Sequence, residues 1–94
     1  MHRYVIERDI PGVGNIADDD LRNTAQASND ALRELSPDVQ WVQSYITADR
    51  IYCVYLAENE AAVRDHARRA SLPATKISEV IQIADPTTAN RVLR

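Results

Sequence analysis

The side chains of this sequence best suited to chemistry are the thiol of Cys53, the imidazole of His66 and the carboxylates of Glu7 and Glu79. Thiolate, imidazole and carboxylate together suit a borderline divalent transition ion such as Ni(II), Zn(II) or Co(II). The acids carry the sharper signal. Glu79 alternates with Ile77 and Ile81, and Glu7 shares its parity with Val5. A carboxylate on an apolar face is costly unless it is paired, protonated or bound to a cation. Each residue also has a plainer reading. Cysteine often serves as a small interior hydrophobe, and His66 flanks the apolar stripe of a helix, where hydrogen bonds can hold an imidazole. Arg3 and Arg8 are available to pair with Glu79. No CxxC, HxH or HExxH spacing occurs, so no short ligand motif decides between the readings.

Other chemistries find less support. A cysteine inside a strand lacks the electropositive helix start that activates thiols. With only Gly12 and Gly14, no glycine loop exists to cradle a phosphate. His2 and the terminal amine make a weaker chelating pair at an end that ordinarily frays. Asp18, Asp19 and Asp20 resemble a cation cluster, yet with Asp18 as N-cap they serve a helix start and its dipole. Trp41, Tyr45, Tyr52 and Tyr55 gather on one expected hairpin. They suit a core or an interface between copies, and a small-molecule pocket lined by Trp41, Tyr45 and Tyr55 is the functional alternative.

The elements that must position these groups follow from periodicity. "RYVIERDI" reads as a strand that ends at Pro11-Gly12. Leu21, Ala25, Ser28, Leu32 and Leu35 recur at helical steps until Ser36-Pro37. "VQWVQSYI" and "IYCVYLA" form a hairpin around a short polar loop. Asn59 caps a second helix with Val63, Ala67 and Ala70 as its stripe, and Leu72-Pro73 breaks it. "KISEVIQI" supplies a fourth strand, and Asp85-Pro86 opens a short terminal helix.

Strand, helix, strand, strand, helix, strand is the α+β, ferredoxin-like βαββαβ pattern of a single domain over residues 1–94. Right-handed crossovers put the first and third strands at the centre of an antiparallel sheet and both helices on one face. The first strand then lies between the third and fourth. Glu7, Cys53 and Glu79 stand side by side if register brings them onto one face. The opposite face is left bare, and a homodimer of the dimeric α/β-barrel type, sheet against sheet, is the expected remedy.

Composition narrows the function classes. A net charge of −3 excludes the concentrated basic surface that nucleic acid requires. One cysteine excludes an intrachain disulfide and fits a reducing, cytoplasmic setting. No apolar run approaches the roughly 20 residues of a membrane span, and no secretion signal is expected.

The segment "VQWVQSYITADRIYCVYLAENEAAVRDHARRASLPATKISEV", preceded by "YVIERDIPG", resembles a small bacterial family formerly classed as a domain of unknown function, which includes a nickel-binding protein. Its most specific parts are W-x-x-S-Y at Trp41, Ser44 and Tyr45, Y-C-x-Y at Tyr52, Cys53 and Tyr55, and His66. The resemblance implies a dimeric ferredoxin-like fold, binding of nickel or another divalent transition metal, and no established reaction. It raises the standing of Glu7, Cys53, His66 and Glu79 as metal ligands and assigns no catalytic residue. One departure is Ser71, where glycine is expected before the leucine-proline turn.

Overall fold

A computed structural model describes residues 1–91. The β-branched and aromatic start of the chain extends as strand β1 (His2–Asp9). Gly12, in the left-handed region at φ 77°, turns the chain into a 3-10 segment at Val13–Asn15. Gly14 then passes so close to the turn at Thr47 and Ala48 that a Cβ there would lie 2.8 Å from the Ala48 backbone. Helix α1 (Asp18–Leu35) follows. Its N-cap is Ala17, with no side-chain capping bond, rather than the expected Asp18. All three aspartates therefore sit inside the first turn, where they complement the helix dipole.

Strands β2 (Val39–Ile46) and β3 (Arg50–Ala57) form the hairpin. Helix α2 (Glu60–Arg69) is capped as expected, the Asn59 side chain accepting from the Ala62 amide at 2.9 Å. It closes in a Schellman arrangement: Leu72 N–H donates to the Ala67 carbonyl and Ser71 N–H to that of Arg68. Ser71 takes the left-handed position at φ 57°. Strand β4 (Lys76–Glu79) is half the expected length. It pairs with β1 only as far as Tyr4 opposite Glu79, and Val80 makes one last bond to the Arg3 carbonyl. Beyond it Ile81 and Ile83 are exposed, and a 3-10 turn at Pro86–Asn90 is closed by an Asp85–Thr88 capping box.

The sheet is antiparallel in the order β2-β3-β1-β4, which is the ferredoxin-like arrangement. Strict alternation sorts its two faces. Tyr4, Ile6 and Arg8 of β1 and Ile51, Cys53, Tyr55 and Ala57 of β3 are buried beneath the helices. Val63 and Ala67 of α2 and Ala31 of α1 close the same layer. The other face presents Val5, Glu7, Tyr52, Val54 and Leu56, each half-buried. One irregularity breaks the alternation. Trp41 pairs with Tyr55 and Gln43 with Val54, so Val42 is the extra residue of a β-bulge. Trp41 and Ser44 consequently share the helix face, and the indole N–H donates to the Ser44 hydroxyl at 3.0 Å.

Candidate functional site

Between α1 and the sheet lies a cleft of about 50 Å³, walled largely by Leu21, Ala25, Trp41, Ile51 and Leu72. The polar residues along it are Arg8, Thr24, Ser28, Ser44, Cys53 and Tyr55. Arg8 is the least expected of them. Only 1% exposed, it donates from Nε to Cys53 Sγ at 3.4 Å, from one terminal nitrogen to the Pro73 carbonyl at 2.5 Å, and from the other to the Tyr55 hydroxyl at 3.4 Å. No carboxylate forms an ion pair with it among the described residues, whose pairs all involve other arginines. Tyr55 is no counter-charge. Burial and the neighbouring Cys53 hold its phenol above the ordinary value, against the pull of Arg8.

His66 lies on the helix side of the same core and is fully buried, its ring 5.0 Å from that of Tyr55. Nε2 faces the Ser28 hydroxyl at 3.2 Å and the Ser28 carbonyl at 3.3 Å. A carbonyl only accepts, so the proton belongs on Nε2, which leaves Nδ1 a buried lone pair with no partner. Burial lowers the imidazole pKa, the Ser28 carbonyl opposes this, and Arg8 lowers it further. The ring is therefore neutral, as a metal ligand must be.

The other expected ligands stand elsewhere. Glu7 pairs with Tyr52 across β1–β3, whereas Cys53 pairs with Ile6, so the two side chains project from opposite faces. The condition that register bring Glu7 and Cys53 together is not met. Glu7 instead meets Arg50 at 3.5 Å on the bare face. Glu79 shares the helix face with Cys53, but β1 separates them and Glu79 is exposed beside Tyr4. Neither Arg3 nor Arg8 forms an ion pair with Glu79. Tyr45 leaves the aromatic group as well. The bulge turns it to the bare face, 55% exposed, while Trp41 and Tyr55 line the cleft.

Nickel can be tested against these donors. Cys53 and the free nitrogen of His66 are suitable in type, but a guanidinium flanks the thiol, which repels a cation. Among the described residues no three His, Cys, Asp or Glu side chains converge. The described residues of one chain do not supply a closed site. A more open set rims Tyr4, where His2 lies edge-on to the ring with centroids 6.5 Å apart and Glu79 stands directly across on β4. Burial, then the charges of Glu79 and Glu60, hold the Tyr4 hydroxyl above its ordinary pKa. Sequence reasoning gave Arg8 only as a partner for Glu79. The signal for its burial was its alternation with Tyr4 and Ile6.

Strand order, register and helices on one face define the ferredoxin-like class of α+β protein. The crystal structure of SCO4226 from Streptomyces coelicolor A3(2) superposes with a TM-score of 0.71 at 26% identity, covering 87% of this chain and 99% of that one. Residues 4–80 match the model of the nickel responsive protein SCO4226-like family, and the chain belongs to that family. No curated protein matches it. Among the described residues no helix is long and apolar enough to cross a membrane.

Proposed function

We propose that this protein binds nickel, or a similar divalent transition ion, and that it does so as a homodimer in the cytoplasm, sequestering or delivering the metal without catalysing a reaction. Membership of a nickel-responsive family is the observation that carries the reading. The half-built donor set at Tyr4 supports an ion shared between copies, because His2 and Glu79 are accessible and leave coordination positions for a partner. The bare sheet face supports pairing. Val5, Val54 and Leu56 there are half-buried in one chain, with Tyr45 more exposed beside them.

Nickel titration by calorimetry, on protein purified without an affinity tag, tests the proposal, with sedimentation reporting assembly. The wild type is expected to bind and to sediment above its monomer mass of 10.6 kDa. Affinity should fall toward acid pH, because protons compete with the metal for its donors. His2→Ala and Glu79→Gln should each weaken binding by at least about tenfold, the scale on which metal sites respond to their supporting residues. If Cys53→Ser and His66→Ala weaken it instead, the ion enters the interior with Cys53 and His66 as ligands. No binding by the folded wild type refutes the proposal.

A further inference from the structure

We propose that residues 80–84, the arm that follows β4, cross to a second copy of the chain, extend its sheet along β2 and cover its cleft with Ile81 and Ile83. The inference rests on the homodimer part of the reading above and needs no nickel. The arm has nothing to pair with in its own chain. β1 begins at His2, so the ladder with β4 ends at Glu79, and the bond from Val80 to the Arg3 carbonyl is its last. Residues 81–84 make no backbone-to-backbone hydrogen bond among the described residues. They nonetheless end in a built stop, the Asp85–Thr88 capping box, with Arg91 donating to the Ile83 carbonyl. Ile81 and Ile83 are 79% and 56% exposed, above every other large hydrophobic side chain described. Both share the parity of Ile77, which pairs with Ile6 and so belongs to the helix face.

The receiving site lies at the other edge of the same sheet. Among the described residues β2 pairs only with β3, so its outer backbone is free to accept a strand. β2 also supplies Trp41, Ser44 and Ile46 to the cleft, whose wall includes Leu21 of α1. Leu21 and Ile46 are each 38% exposed, and the wall is almost wholly apolar. A volume of about 50 Å³ holds roughly four water-sized groups, which matches the side chain of a single isoleucine. As a strand, residues 80–84 reach about 17 Å, the stretch of β2 from Trp41 to Ile46. Laid along β2, such a strand carries alternate side chains on the helix face, over the cleft. The arm cannot do this within one chain, because β1 and β3 stand between β4 and β2. Two sheets stacked face to face about a two-fold along the strands instead set β4 of each copy over β2 of the other. The helix faces stay outermost in that assembly, so the isoleucines keep to the helix side as they cross. Each copy thus holds both the arm and the edge that accepts it, and the exchange closes with two chains.

Trp41 is the only tryptophan and lies in the cleft wall, so its fluorescence reports the arm without a label. The experiment compares the full-length wild type with Ile81→Asp/Ile83→Asp by sedimentation and fluorescence over a dilution series. The wild type should dimerise, and its Trp41 emission should shift to the red as dilution separates the copies. Both replaced side chains are exposed in one chain, so the double variant keeps its fold. Its dimer should dissociate at a concentration at least about a hundredfold higher, the scale of isoleucines returned to water from both arms. Ala25→Phe, which fills the cleft and leaves the arm intact, should weaken the dimer as well. A wild type that stays monomeric overturns the homodimer reading and this inference together. A dimer undiminished in the double variant, or in folded Ala25→Phe, overturns this inference alone. So does a wild-type dimer whose Trp41 emission ignores association, because the arm would then bind away from the cleft.

Discussion

Mild acid should loosen this fold through His66 before any carboxylate responds. The imidazole is fully buried, its Nε2 is committed to Ser28, and Nδ1 has no acceptor for a second proton. Burial and Arg8 lower its pKa. In the unfolded chain the same group titrates near 6.5. Below that value the unfolded state binds a proton that the native state refuses, so stability falls as pH falls and is fully present above pH 6.5. The slope approaches about 1.4 kcal/mol per pH unit, and the loss between pH 7.5 and 5.5 is about 1.4 kcal/mol while His66 stays neutral in the folded state. For a chain of this size that lowers Tm by roughly 5–10 °C. Asp65 and Asp85 act in a lower window. For Asp65, burial is outweighed by Arg69 and Arg68, and hydrogen bonds from Thr87 act on Asp85, so both pKa values are lowered. Their contributions are present above about pH 3.9 and are lost as pH falls through their folded values. Urea unfolding of the wild type and His66→Gln at both pH values measures the effect. The variant should lose the dependence, and a wild-type stability that is flat over the interval, or an equal slope in both proteins, would refute the reasoning.

Two further substitutions probe the backbone. Ser71→Gly should raise stability by about 0.5–1 kcal/mol, because a left-handed non-glycine residue costs about 1–2 kcal/mol and glycine entropy returns part of it. Thermal unfolding beside Ser71→Ala, which keeps the Cβ and should gain nothing, checks the origin of the effect. Gly14→Ala should cost about 1–3 kcal/mol, since the new Cβ would meet the Ala48 Cα at 2.8 Å and the Thr47 carbonyl at 2.9 Å. Both neighbours are backbone, so an unchanged denaturation midpoint would show that the β2–β3 turn yields more easily than its geometry implies.

Element order was legible because hydrophobic period and caps agree along the chain. Asn59, Asp85-Pro86 and the Leu72-Pro73 break each mark a boundary that the structure keeps. The left-handed Ser71 falls where glycine was expected. Less was legible where a partner, not the local run, decides. The apolar run through Ile83 promised a strand to its end, but β4 stops at Glu79, after the last β1 residue it pairs with, Tyr4. Both parities of β3 are apolar, so only pairing with Ile6 assigns Cys53 to the helix face. The candidate site suffered most. Its ligand set depended on faces and registers, while the alternation of Arg8 with Tyr4 and Ile6 pointed to burial and its charge pointed to Glu79.

The extra residue at Val42 lets one short hairpin arm serve two unrelated tasks. Downstream of it, Ser44 and Ile46 border the cleft while Gln43 and Tyr45 look outward from the other side of the sheet. Substitutions at adjacent positions can therefore adjust the interior recess or the outer surface independently. Deleting Val42 would leave Trp41 opposite Tyr55 and Gln43 opposite Val54 in plain alternation, so both sets would keep their faces and only the local bend would be lost. The exchange would come instead from keeping Val42 and pairing it opposite Val54, which would turn the inward and outward sets over together and disturb the cleft and the outward face at once.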